Sequence, residues 1–361
     1  MEFLETLKHY GINDANLNEI NITGSFNKLS IIEAEIELLQ QCEFACRYCI
    51  INGSPLGNKG LEYKKQYKII KWLIKNNLRR CTLTGGDPLL YKDFWKILDF
   101  LLNHNIKVSI YTTGALINDI TIKKFLSYKN KDSISFQISI DNSDKKLNDL
   151  YRGIGAFDTA IRAIETLRNA GFNVTISSII YRKPIETIRG MVELAEKYGA
   201  KIKFGQLDLV GRAANLKKED VVLSDEEYRE MNNYLARLGL EKPDLFEGRL
   251  ASIGDNYYKN FIYSNSKQMC PSAFGSIDIR FDGVIKPCSM PKEFFDMIDP
   301  DYASLNALEE PDLASSKMYE KLINAKLDNE LYNKNYEYHC TLFKYKMNKR
   351  RYGHCLISKK E

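Results

Sequence analysis

Short apolar stretches alternate with longer amphipathic ones over nearly 180 residues of this chain, and that alternation predicts parallel strands joined by crossover helices. Strands are predicted at 34–40, 80–84, 107–112, 133–140, 173–180 and 201–207, and helices at 61–78, 91–104, 117–129, 157–170 and 185–198. The helical segments carry core-facing stripes at spacings of three and four, such as Tyr63, Tyr67, Ile70 and Ile74, or Ile188, Met191, Val192 and Ala195. Those stripes are packing surfaces. The pattern ends after six strands, short of the eight that a closed barrel needs.

One predicted strand says which way the sheet faces. In Ser133 to Asp141 the apolar residues 134, 136, 138 and 140 share one side, and Ser135, Gln137, Ser139 and Asp141 share the other, because side chains alternate with period two. Helices must cover the apolar side, so the polar side looks inward. A packed barrel interior would be filled with branched apolar side chains; Ser, Gln, Ser and Asp there imply a wet or ligand-filled cavity, the alternative being the exposed face of an edge strand. The same parity puts Cys81 with Leu83, opposite Thr82 and Thr84. If the threonines face the cavity, Cys81 is buried as a small hydrophobe; the sharper alternative is a thiol that donates a hydrogen atom to a substrate radical.

Composition narrows the class. At 361 residues, with 44% hydrophobic and 27% charged residues, the chain reads as soluble and globular, with room for one large domain and a smaller one. No apolar run approaches a membrane span of roughly 18 residues, and Met-Glu-Phe-Leu-Glu-Thr is no secretion signal. Cytoplasmic residence is expected, with no membrane and no nucleic acid among its partners. The net charge of +5 is mild and becomes lopsided only at the tail, through Lys344, Lys346, Lys349, Arg350, Arg351, Lys359 and Lys360. Eight cysteines, grouped at 42, 46 and 49, then 81, then 270, 288, 340 and 355, suit metal ligation in a reducing compartment better than a disulfide scaffold.

The decisive cluster is Cys42-Glu-Phe-Ala-Cys46-Arg-Tyr48-Cys49. Three thiolates at C-x3-C-x2-C spacing can hold three irons of a cubane and leave the fourth open, whereas a structural zinc loop would want four closed ligands and paired C-x2-C knuckles. A strand-like Ile36-Glu-Leu-Leu-Gln precedes the triad, and Thr-Gly85-Gly86-Asp87-Pro88 follows one helix later. Together these resemble the radical S-adenosylmethionine (radical SAM) superfamily, and the six strands resemble its partial (β/α)6 barrel. The resemblance implies that Cys42, Cys46 and Cys49 ligate a catalytic [4Fe-4S] cluster whose open iron takes S-adenosylmethionine. It implies Tyr48 beside the adenine, Gly85 and Gly86 close to the methionine moiety, and Asp87 on its ammonium, with Asp standing where the family more often has Glu. Ser139 and Asp141 fall where related enzymes keep a Ser-x-Asp pair for the ribose hydroxyls and methionine end, and Arg152 is a carboxylate partner through its planar fork.

Further on, Cys270 to Cys288 reads as a β-hairpin turning at Asp282-Gly283. It resembles the opening of the SPASM and twitch domains that follow many radical SAM barrels, C-x9-15-G-x4-C; here the counts are twelve and four. That resemblance implies one auxiliary [4Fe-4S] cluster of the twitch kind, with Cys270, Cys288, Cys340 and Cys355 as candidate ligands. The expected division is an N-terminal extension at 1–33, the partial barrel at 34–210, a linker and helical segment at 211–262 that opens on Gly211-Arg212-Ala213, and a twitch-like domain at 263–361. Three functions stay open. The first is a radical enzyme that abstracts a hydrogen atom from a ribosomally made peptide and finishes by cross-linking, epimerisation or oxidation, served by a one-electron reductant such as flavodoxin or ferredoxin and by a separate leader-recognition protein. The second is a dehydrogenase of a small hydroxylated metabolite, and the third a non-catalytic electron carrier, against which the Gly-Gly-Asp and Ser-x-Asp elements count.

Overall fold

The computed structural model describes residues 31–182, 185–207, 209–246, 276–286, 305–313 and 316. Strands β1 (Glu33–Glu37), β2 (Arg80–Thr84), β3 (Lys107–Thr112), β4 (Ile134–Ser139), β5 (Asn173–Ile180) and β6 (Lys201–Gln206) form in the predicted order. Crossover helices α1 (Tyr63–Lys75), α2 (Phe94–Asn103) and α3 (Asp119–Leu126) connect the first four strands. Helices α4 (Lys145–Arg152), α5 (Ala156–Asn169) and α6 (Ile185–Lys197) follow, then α7 (Lys218–Val221) and α8 (Asp225–Glu241). Every neighbouring pair from β1 to β6 is parallel. That is the arrangement α-helical crossovers impose.

The outer face of the sheet is the core. Ile36 pairs with Leu83, Cys81 with Val108, Ile110 with Phe136 and Ile138 with Ile176, all buried under the helices. Phe94, Phe125, Phe136 and Phe172 meet edge to face there, with the Phe125–Phe136 centroids 5.0 Å apart, a geometry that adds to the burial of their area. The inner face is polar: Glu35 pairs with Thr82, Ser109 with Ser135 and Gln137 with Thr175. The sheet curls around this face far enough for the Lys203 ammonium on β6 to lie 5.6 Å from the Tyr111 ring centroid on β3.

Two differences from the sequence expectation matter. Residues 276–286 form the expected hairpin, β7 (Ser276–Ile279) and β8 (Ile285–Lys286), with Gly283 in the left-handed region at φ 89. The hairpin joins the same sheet, giving the order β6-β5-β4-β3-β2-β1-β7-β8. Through its parallel pairing with β7, β1 gains a second ladder partner in place of an open edge. The second difference is α4, eight residues of KKLNDLYR that lie between the predicted strand at 133–140 and the predicted helix at 157–170. Its N-cap is Asp144, whose carboxylate accepts from Leu147 N, and Gly153 with φ 119 follows its last residue; those two residues were the available signal. Cys270, Cys288, Cys340 and Cys355, the basic tail and residues 1–30 lie outside the described residues. No helix among the described residues is long and apolar enough to cross a membrane.

Candidate functional site

The loops leaving the C-terminal ends of the parallel strands surround a cavity of about 280 Å³. In open parallel sheets that end is where ligands sit. The chain leaving β1 forms the cysteine loop, held by Gln40 Nε2 donating to Ile51 O at 2.8 Å, Cys42 N to Ser54 O at 3.0 Å and Arg47 N to Tyr151 O at 2.8 Å. Cys42, Cys46 and Cys49 all line the cavity. Gly53 N donates to the Cys49 sulfur at 3.2 Å. Burial pushes the Cys42 and Cys46 thiols up, so that as free thiols they keep their protons until a metal charge replaces them.

Among the described residues no three His, Cys, Asp or Glu side chains converge as a single metal ion requires. Three thiols for a cubane need to ring a shared space and not a shared point, since each takes a different iron. The loop fits that group.

Arg212, in the turn after β6, clamps the loop from outside. Its Nε donates to Cys46 O at 2.7 Å, an Nη to Gly53 O, and its backbone N–H to Cys49 O at 3.1 Å. Gly211 precedes it at φ 57, where a Cβ would overlap the carbonyls of Cys49 and Ile50. Sequence reasoning noted the Gly-Arg-Ala triplet without giving it this task. Arg212→Ala removes two charge-assisted hydrogen bonds, each worth about 1.5–3 kcal/mol, from the loop that carries the thiols. The reconstituted variant is expected to lose iron to a chelator severalfold faster than the wild type, with Arg212→Lys intermediate. Equal release rates would show that the clamp is dispensable.

The glycine turn after β2 packs on the same loop. Gly86 N donates to Leu39 O and Asp87 N to Gln41 O, both at 2.8 Å. A Cβ on Gly86 would overlap the Gln41 carbonyl and one on Gly85 the Leu39 carbonyl. The approach that requires glycine here is therefore between two backbones, while both glycines also line the cavity.

Asp87, the acid expected on the cofactor's ammonium, closes the glycine turn. It is fully buried, and its carboxylate accepts from Leu89 N at 3.0 Å, Thr112 Oγ1 at 2.6 Å, Thr113 N at 2.8 Å and Thr113 Oγ1 at 2.8 Å. One methylene shorter than Glu, it is spent on tying the β2 turn to the end of β3. Glu43, between the cysteines, went unnoticed in the sequence; burial first and Asp87 second push its carboxyl up to about 7.

Tyr48, Ser139 and Arg152 line the cavity, while Asp141 stands behind it, wholly buried. The Arg152 fork closes on Asp141, Nε to Oδ2 at 2.8 Å and Nη2 to Oδ1 at 3.1 Å. Tyr48 Oη also donates to Oδ2, and Ile179 N to Oδ1 at 2.8 Å. Burial works against the Arg152 charge, but Asp141, Tyr48 and Cys46 outweigh it, so the guanidinium is held charged. Asp141 thus contacts both Tyr48 and Arg152, and the carboxylate paired with Arg152 here is the protein's own. Cys81 does not line the cavity. It is 1% exposed on the helix-covered face, in the apolar core.

Residues 36–197 match the family model described as the radical SAM superfamily. Mycofactocin maturase MftC of Mycolicibacterium smegmatis is 30% identical over 204 residues, covering 56% of this chain and 51% of that protein. The antilisterial bacteriocin subtilosin biosynthesis protein AlbA of Bacillus subtilis is 27% identical over 287 residues, covering 78% and 60%. The chain thus spans about half to three-fifths of the length of these curated relatives. The crystal structure of Streptococcus suis SuiB bound to S-adenosylmethionine superposes with a TM-score of 0.66 at 20% identity, over 94% of this chain and 76% of that one, a likeness of fold. Three cysteines and a double-glycine turn surround one cavity of a curled parallel sheet, and they lie within the segment 36–197 that matches the radical SAM superfamily model.

Proposed function

We propose that the chain is a radical SAM enzyme acting on a ribosomally made peptide. The observation that carries the reading is one cavity lined by Cys42, Cys46 and Cys49 and also by Gln137 and Ser139, so that a cofactor on the thiols and a substrate in the lumen would share one space. The names of relatives favour a peptide: a mycofactocin maturase, a subtilosin biosynthesis protein and a sporulation killing factor maturation protein.

When bound, the cluster supplies the electron that cleaves S-adenosylmethionine to a 5′-deoxyadenosyl radical able to take a hydrogen atom from the substrate. The chain's own residues do the rest. Arg212 and the glycine turn fix the cysteine loop, Tyr48 and Ser139 bound the cofactor's end of the cavity, and the Asp141–Arg152 pair holds Tyr48 in place. The inner wall offers hydroxyls and amides that orient a polar substrate while helices exclude water from the other side of the sheet. Cys270, Cys288, Cys340 and Cys355 are proposed to hold an auxiliary cluster able to accept an electron from the substrate radical, with flavodoxin or ferredoxin reducing the catalytic one.

The test is anaerobic reconstitution with iron and sulfide, then reductant, S-adenosylmethionine and short peptides encoded beside the gene. 5′-Deoxyadenosine is expected to rise with the cognate peptide, whose mass changes by a small integer on cross-linking or oxidation and, on epimerisation, only in deuterated water. Stimulation by hydroxylated metabolites and by no peptide would move the reading to a dehydrogenase. The variant Cys270→Ala with Cys288→Ala is expected to keep 5′-deoxyadenosine formation and lose the finished product if the reaction is a net oxidation; normal product yield would remove the electron-acceptor role.

A further inference from the structure

Three carboxylates and two lysines share the inner face of the sheet around the junction of β1 with the β7–β8 hairpin, and nothing in the cysteine loop or glycine turn uses them. Glu35 and Asp278 are register partners on adjoining strands, and Asp278 is paired in turn with Lys286, so the three side chains project to one side. Glu37, two residues after Glu35, accepts from Lys286 Nζ at 3.1 Å. Lys203, from the far end of the curled sheet, adds its field to Glu35 and Asp278. Glu35, Glu37 and Lys286 line the same cavity as the cysteine triad.

Buried carboxylate oxygens without a donor are costly. This cluster has two, Glu37 Oε2 and Asp278 Oδ2, on residues each only 6% exposed. The lysines do not fill the deficit. Lys286 is committed to Glu37 Oε1, and the Lys203 ammonium stands against the Tyr111 ring. A water could donate to the open oxygens but would leave three acids facing two ammonium groups. A cation supplies both the donors and the missing charge.

We propose that Glu35 and Glu37 on the cavity wall, backed by the buried Asp278, form a subsite for a cationic group of the substrate, a primary ammonium or a guanidinium. If the substrate is a peptide, as the proposed function holds, the group is a lysine or arginine side chain beside the residue attacked. Burial foremost raises the Glu35 and Asp278 carboxyls, the cost that a cation beside them offsets.

Saturation-transfer NMR on the reconstituted full chain with S-adenosylmethionine tests this with three probes: the N-acetyl methylamides of lysine, norleucine and glutamate. The lysine probe is expected to bind about tenfold or more tightly than norleucine, as a charge-assisted hydrogen bond implies, and the glutamate probe not at all. Glu37→Gln and Asp278→Asn should each bring lysine to within about threefold of norleucine, their fold checked by circular dichroism. Equal binding of lysine and norleucine by the wild type, or preference for glutamate, overturns the subsite without recourse to any variant. Lysine selectivity in a protein that no peptide stimulates supports the subsite while removing the peptide reading; peptide turnover without lysine selectivity overturns the subsite alone.

Discussion

Replacing Cys42, Cys46 and Cys49 together with alanine is expected to reduce 5′-deoxyadenosine formation to background and to remove about four irons per chain, the content of one cubane. Each thiol lines the cavity, and the loop that carries them is held by backbone hydrogen bonds together with the side chains of Gln40 and Arg212. If Cys270, Cys288, Cys340 and Cys355 hold a second cluster, the loss is half the iron. Elemental analysis and liquid chromatography of the reaction measure both quantities. Persistent 5′-deoxyadenosine from the triple variant would break the assignment of the catalytic thiols.

The second large effect is on stability. Asp141→Ala leaves the Arg152 guanidinium, whose side chain is 9% exposed, without its carboxylate. It also strips an acceptor from Tyr48 and from the Ile179 amide. Breaking one side of a buried ion pair costs about 3–5 kcal/mol, a large share of a typical domain's stability. Chemical denaturation of the cluster-free protein is expected to show that loss, and Arg152→Met in the Asp141→Ala background should recover part of it, because no buried charge is then left unpaired. A loss below about 1 kcal/mol would mean that water reaches the pair, as it does in exposed ones.

Residue patterning made the barrel legible. Strands β2, β3 and β5 have the predicted bounds, and the others differ by at most three residues at an end. Period two in β4 correctly told which side faces the lumen, since Gln137 and Ser139 line the cavity while Ile134, Phe136 and Ile138 are buried. It also foretold the burial of Cys81. The short helix α4 escaped because eight mostly polar residues carry no sustained stripe, and with it escaped the setting of Arg152.

Charge roles were the harder part. Asp87 and Asp141 are acids beside the expected cofactor site, yet both spend their oxygens on the protein's own donors. Arg212 and Lys286 act on partners 166 and 249 residues away in the chain. No local pattern marks such a residue.

By itself, then, the sequence determined the order of strands and helices, the face each strand buries and the grouping of Cys42, Cys46 and Cys49, because periodicity and short spacings are local properties that the backbone converts directly into geometry. Only the tertiary structure decided that the hairpin at 276–286 extends the sheet, that Arg212 grips the cysteine loop, and that Glu35, Glu37 and Asp278 share one face with Lys286. These depend on which distant strands become neighbours, and in a curled sheet that follows from the closing of backbone ladders and the packing of helices over the whole chain.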